Sequence, residues 1–278
     1  MKILITGAAG FIGSHLAEFL NSKSEIKKII LIDDLSDGNI KNLKKVIKNK
    51  KIQFKKINIC NKNIYKYFKN IDSVIHLAAL SDVVPSIENP FNYMNTNVLG
   101  TLNILEAMRK QNVKKIVYAA SSSCYGIPNE FPTLENSKIS PMYPYAFSKY
   151  IGEQTIKHWS KVYGIKFISL RLFNVYGTRS RTTGAYGAAL GIFLKQKLSN
   201  KPLTIVGDGK QKRDFIHVLD VCKAFSKAIF SNHKNEIFNV GYGSPKSVNE
   251  MVKLIGGKKT YIPRRPGEPL ITHANITK

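Results

Sequence analysis

An open, doubly wound parallel α/β sheet carrying a smaller C-terminal lobe is the fold this sequence predicts, and three observations predict it. Short apolar, β-branched runs alternate with helix-length amphipathic segments from the first residues to Leu170. A glycine-rich stretch, GAAGFIGSH, follows the first run directly, in the order strand, turn, helix that marks the phosphate-binding edge of such a sheet. After Arg171 the rhythm breaks into shorter pieces rich in Gly, Thr and Pro, including GTRSRTTGAYG and PLTIVGDG, which suits a lobe made of excursions from the sheet.

Taken in order, the predicted strands are Ile3 to Thr6, Ile29 to Ile32, Ile52 to Ile57, Val74 to Leu77, Ile116 to Ala119 and Phe167 to Leu170. Two long helices are expected at about Asn97 to Lys110 and Tyr145 to Tyr163, the second entered through Pro141 and Pro144. Val218 to Phe230 and Glu236 to Val240 read as a return to the main sheet. The expected organisation is a nucleotide-binding domain over 1–172 with the return segment 218–241, and a substrate lobe over 173–217 and 242–278. No internal repeat or low-complexity tract interrupts it.

With 278 residues the chain can bury a substantial core. No apolar run reaches bilayer-crossing length, and MKILITGAAGFIGSH reads as a strand entering a turn instead of a signal peptide, so a cytoplasmic protein with no membrane partner is expected. Cys60, Cys124 and Cys222 stand far apart without metal-ligand spacing, and no disulfide or metal site is expected. The formal net charge of +25 would suit a polyanion. Lysines dominate the excess, however, and in stretches such as Lys41 to Lys56 they interleave with Asn and Ile as solvated faces do, so no nucleic-acid partner is expected.

Gly7, Gly10 and Gly13 are spaced GxxGxxG, one residue wider than the usual GxGxxG. Between a strand and a helix, missing side chains let the backbone approach a pyrophosphate, and the helix N-terminus offers free amides. Asp33 closes the second predicted strand, where a carboxylate accepts both adenosine ribose hydroxyls and repels a 2′-phosphate. That position favours NAD over NADP; the competing reading is a turn aspartate, since Asp34 and Ser36 follow at once. Asn58, after the third strand, either bonds the adenine edge or closes a turn.

Tyr145 and Lys149 stand four apart at the start of a predicted helix and share a face. A free phenol has a pKa near ~10, and a neighbouring ammonium together with a positive nicotinamide ring would favour the phenolate, making Tyr145 a usable general base. Ser121, Ser122 and Ser123 lie at the carboxyl edge of a predicted strand, where hydroxyls can bond an oxygen whose charge changes during hydride transfer; such serines also form ordinary turns.

In combination these features resemble the extended short-chain dehydrogenase/reductase superfamily, in its NAD-dependent sugar epimerase and dehydratase branch. GAAGFIGSH, Asp33-Asp34, Ala78-Ala79, Asn97, AASSSCYG, PYAFSK, RLFNVYG, RDFIHVLDV and RRPGEP all occur in that branch's order. The resemblance implies Tyr145 as acid/base, Lys149 binding the nicotinamide ribose, and Ser121 on the sugar hydroxyl with Ser122 or Ser123 assisting. It extends the NAD contacts to Phe11, Ile12, Asp34, Ile59, Leu77, Ala78, Ala79 and Asn97. It also implies substrate contacts at Ser81, Asn174, Arg213 and Arg265 (diphosphate for the last three), Thr204 and Val206 (uracil edge), Glu268 (uridine ribose) and Thr272, at a position where epimerases gate the sugar pocket by side-chain size.

Dehydratases of the branch carry an Asp-Glu pair where this chain has Ser122 and Ser123, and decarboxylases carry a glutamate there. With neither acid present, the expected reaction is 4-epimerisation of a UDP-hexose through a 4-keto sugar. The rivals are a net oxidoreductase of the branch and a non-catalytic NAD- or nucleic-acid-binding protein. The strip LSDVVP, Leu80 to Pro85, matches no substrate class. The branch usually continues beyond the position of Lys278, so the lobe is expected to be short, by nature or by truncation. A homodimer is expected through the two long helices, with Val98, Leu102, Leu105 and Ile156 at the seam or facing the sheet.

Overall fold

The computed structural model describes residues 1–180, 182, 189–263 and 269–278. Each of the six predicted apolar runs falls on a strand, two of them overrunning it by one residue, at Ile57 and Leu77. In chain order the first half comprises β1 (Lys2–Thr6), α1 (Phe11–Asn21), β2 (Lys28–Asp33), β3 (Ile52–Lys56), β4 (Ser73–His76), α2 (Val83–Glu88), α3 (Pro90–Tyr93), α4 (Gly100–Lys110), β5 (Lys115–Ser121), α5 (Pro144–Tyr163) and β6 (Lys166–Leu172). There follow β7 (Asn174–Tyr176), α6 (Ala189–Leu198), β8 (Leu203–Val206), β9 (Lys212–Arg213), β10 (Phe215–His217), α7 (Val218–Phe230), β11 (Glu236–Val240), β12 (Lys246–Ser247), α8 (Val248–Ile255) and β13 (Lys259–Ile262).

Seven strands form one parallel sheet in the order β11-β6-β5-β4-β1-β2-β3, so 236–240 rejoins it at the edge beside β6. Helices cover both faces, which is why the strands read as continuous apolar runs. Leu16 and Leu20 of α1 and Val221 and Phe225 of α7 bury against one face. Ile104 and Leu105 of α4 and Ile156 of α5 bury against the other with Val74 and Tyr118. The seam reading of Leu105 and Ile156 is thereby corrected: both are fully buried on the sheet, where covering such a side chain stabilises by about 1.5–3 kcal/mol.

Helix α5 starts at Pro144, whose fixed φ suits the first turn, and stops at Gly164, which takes the left-handed cap at φ 69°. The helix expected from Asn97 begins earlier, at Pro90, because a wider π-helical turn over Met94–Leu99 joins α3 to α4. The lobe has its own small core of Phe193, Leu203, Ile205, Val248, Met251 and Val252, under the parallel pair β8-β13. Among the described residues no helix is long and apolar enough to cross a membrane, and no cluster of His, Cys, Asp and Glu is placed to hold a metal.

Candidate active site

Strand order reverses between β1 and β4, and there the loops after the sheet strands and the edge of the lobe enclose a cleft of about 520 Å³. Its floor is the glycine loop. Gly7 sits at φ 68°, and a Cβ on it would lie 2.7 Å from the amide nitrogen of Ala78; one on Gly13 would collide with the carbonyl of Gly7. Helix α1 has no side-chain cap and no acid in its first turn, and Phe11, Ile12 and Gly13 line the cleft, so the positive end of the helix is open to an anion.

Asp33 is 7% exposed and lines the cleft, with Oδ2 accepting the Ala9 amide at 2.8 Å and Oδ1 the Leu35 amide at 2.8 Å. Burial pushes its pKa up, against those two amides. The turn role and the cleft position therefore coexist in one carboxylate. Asp34 accepts from Ser36 and, at 2.6 Å, from the side-chain amide of Asn58, whose own oxygen accepts the Cys60 amide at 2.7 Å. Asn58 is thus a turn former that also lines the cleft beside Ile59. Leu77, Ala78 and Ala79 line the facing wall, with the Leu77 and Ala78 amides held by Thr6 Oγ1 at 3.2 Å. A cradle closed to any Cβ, an open helix terminus and an acid at the end of β2 fit NAD, whose pyrophosphate and adenosine ribose need those three features.

Asn97 takes a different place from the one expected of a cofactor contact. It is 1% exposed, and its amide grips both backbone groups of Leu80, at 2.8 and 3.0 Å, and Ser148 Oγ at 2.9 Å. It fixes the loop after β4 to the turn of α5 that carries Lys149.

Tyr145, Lys149 and the three serines meet at the inner end of the cleft. Ser121, the last residue of β5, accepts the Ser123 amide at 3.2 Å, lies 2.7 Å from Ser123 Oγ, and lines the cleft with Tyr145. Burial pushes the Tyr145 pKa up, the Ser121 hydroxyl opposes this, and the Asp82 carboxylate raises it further. Lys149 is 4% exposed, and burial brings its pKa down to about 7, with Glu153 opposing. Desolvation thus works against the depression of the phenol expected from Lys149 together with a nicotinamide ring.

On the lobe side, Asn174, Arg213 and Thr272 line the cleft, and Ser81 lies exposed at its rim beside Asp82. Asp214, next to Arg213, accepts the amides of Tyr242, Gly243 and Ala274, while Asp220 pairs with Lys223 at 2.9 Å. Thr204 and Val206 sit on β8 among lobe contacts: the Thr204 amide donates to Gln196 at 3.1 Å, and the Val206 carbonyl accepts from Gln211 at 2.9 Å. Arg265 and Glu268 lie outside the described residues. His76, Trp159 and His217, left without a chemical role by the sequence, bond Thr6 and Thr101, Glu106, and the Leu219 amide respectively.

Four residues that sequence reasoning passed over belong to this site. Asp82, the N-cap of α2 with no capping bond, lines the cleft and acts on Tyr145. Glu153 follows Lys149 by one more helical turn and forms a buried pair with Arg171, with contacts at 2.6 and 3.1 Å. Tyr118 lies under Lys149. The spacing Tyr145, Lys149, Glu153 was the available signal for the buried acid.

Residues 3–241 match the model of the NAD dependent epimerase/dehydratase family. The chain is 42% identical over 285 residues to a Methanocaldococcus jannaschii protein named provisionally as a UDP-glucose 4-epimerase, covering 99% of this chain and 90% of that one. It superposes with a TM-score of 0.94 on a UDP-N-acetylglucosamine 4-epimerase from Methanobrevibacter ruminantium M1, solved with UDP-N-acetylmuramic acid, at 31% identity and 99% and 89% coverage. For a UDP-glucuronic acid 4-epimerase from Bacillus cereus, solved with UDP-glucuronic acid and NAD, the TM-score is 0.93 at 32% identity and 100% and 91% coverage.

Proposed function

The chain belongs to the NAD dependent epimerase/dehydratase family, and from that premise we propose that it is a 4-epimerase of a UDP-linked hexose. The observation that carries the reading is the placing of Tyr145, Lys149 and Ser121 in one cleft, with Lys149 one turn further along α5, beside Ser122 and Ser123, where an eliminating enzyme would need acids. NAD, when bound, supplies an acceptor that takes a hydride from carbon 4 of the sugar and returns it. Tyr145 takes the proton of the 4-hydroxyl and gives it back, and Ser121 holds the same oxygen as its charge changes. Lys149 supports the charge on Tyr145 from the adjoining turn. Asn174 and Arg213 hold the diphosphate from the lobe, Arg213 through a planar guanidinium suited to phosphate oxygens. The sugar then presents its other face and the configuration inverts without net redox.

Relatives acting on neutral and acidic sugars alike support the reaction and leave the hexose to experiment. A homodimer is part of the proposal; Leu99 and Phe147, 54% and 45% exposed on the helical face that carries α4 and α5, support it better than the buried Leu105 and Ile156. Incubation with a panel of UDP-sugars, with product configuration read by NMR, tests the proposal. Inversion at carbon 4, with deuterium placed there retained in the product, is the expected result. Release of reduced cofactor with a 4-keto product, or no turnover of any UDP-hexose, would overturn it.

A further inference from the structure

Lys149 carries a buried ammonium whose surroundings are unusual. Among the described residues it has no ion-pair partner, and its Nζ sits over the ring of Tyr118, 4.2 Å from the centroid. Tyr118 is itself fully buried, and its hydroxyl donates to the backbone carbonyl of Lys149 at 3.2 Å. One β5 side chain therefore touches the helix at two points. The approach depends on Gly152, because a Cβ there would lie 2.6 Å from the Tyr118 hydroxyl oxygen.

The charged and titratable groups around Lys149 leave the ring little competition. From β4, His76 lies 5.6 Å from the Tyr118 ring centre, ring to ring. Thr101 donates its proton to the Asn97 carbonyl at 2.6 Å, so it accepts from His76 Nε2, and His76 Nδ1 accepts from Thr6. His76 is thereby neutral, and burial lowers its pKa to about 3. On α5 itself, Glu153 is engaged by Arg171 of β6 and by Ser169. Tyr145 lies one turn back, edge-on to Tyr93 and acted on by Asp82. Beyond the pull of the Glu153 charge, which Arg171 already engages, the negative π-face of Tyr118 is the contact that holds the cation.

We propose that Tyr118 is a positioning residue of the reaction: its ring face keeps Lys149 charged and aimed into the cleft, and its hydroxyl fastens the turn carrying Lys149 and Tyr145. The inference rests on the proposed function only for the role given to Lys149. A face that favours the ammonium raises the Lys149 pKa, so removing it lowers that pKa, and the charged form is lost at lower pH.

The test is an NMR titration of lysine labelled at Cε in the whole protein, with the Lys149 signal identified by its loss in Lys149→Met. Tyr118→Phe keeps the face, Tyr118→Leu removes it, and pentafluorophenylalanine at 118 keeps the shape while withdrawing the negative face, so that a folding defect in the leucine variant does not decide the matter. The Phe variant should hold the wild-type midpoint within a few tenths, and the other two should lower it by about one pH unit. The descending limb of kcat against pH, on whichever UDP-hexose is turned over, should move to lower pH with it. An unchanged midpoint in the fluorinated variant, or an equal fall in the Phe variant, overturns the proposal. Failure on every UDP-hexose would count against the epimerase reading and leave this titration able to decide.

Discussion

Thr272 donates its hydroxyl to Asn174 Oδ1 at 3.0 Å, joining the last segment of the chain to β7 in the wall of the cleft. The Thr272 hydroxyl oxygen in turn accepts the Asp214 amide at 3.2 Å. Thr272 is therefore a wall residue and not a solvent-facing one, and its size bears on what fits beside it.

Thr272→Tyr should lower kcat/KM for UDP-N-acetylglucosamine relative to UDP-glucose by roughly 5- to 150-fold, the equivalent of about 1–3 kcal/mol of overpacking. Thr272→Ser keeps the hydroxyl and serves as control. Specificity constants measured for both sugars decide the point, and a ratio that does not move refutes the gate.

Tyr145→Phe removes the hydroxyl that the proposed reaction uses to carry the proton and keeps the ring. Turnover should fall by about 10²- to 10⁴-fold with NAD affinity nearly unchanged. Steady-state rates and an NAD titration check this; a variant keeping more than roughly a tenth of wild-type turnover is incompatible with general acid/base catalysis by this residue.

Asp33→Ala should do two separable things. The buried amide of Ala9 and the part-buried amide of Leu35 lose their acceptor, at a cost of about 1–3 kcal/mol for the buried one where water does not replace it. The preference for NAD over NADP should also narrow, because the repulsion of a 2′-phosphate is gone. Urea unfolding reads the first effect and paired cofactor titrations the second; lost stability with unchanged selectivity would reduce Asp33 to a loop brace.

Arg171→Met strands the Glu153 carboxylate, 2% exposed, and should destabilise the protein by about 3–5 kcal/mol. Adding Glu153→Gln should recover a large part of that loss, since the uncompensated charge disappears. Denaturant midpoints for the two single variants and the double variant test the coupling, and simple additivity would show that the pair is not a unit.

The sheet was legible because parallel strands covered on both faces are long apolar words, as in Lys2–Thr6 and Lys28–Asp33, and the glycine loop because a missing Cβ leaves a spacing in the chain. Partners chosen by three-dimensional proximity were not. Nothing near Asn97 in sequence says that its amide will grip Leu80, and the pattern of Leu105 and Ile156 fits a sheet-facing stripe as well as a seam. Electrostatic sign was the least legible quantity: the Tyr145 to Lys149 spacing suggests a lowered phenol pKa, whereas burial, which spacing does not encode, raises it.

Asp214 shows no exposed surface and binds the amides of Tyr242, Gly243 and Ala274, from segments far apart in the linear chain. Ala274 also bridges to Thr133, a residue made half a chain earlier. The outer wall of the cleft is therefore assembled from segments around Thr133, Asp214, Tyr242 and Ala274, whereas the glycine loop lies within one short stretch of chain. One wall of the cleft is thus local in sequence and the other depends on long-range contacts, so a substitution at Asp214 loosens the second wall and leaves the first standing.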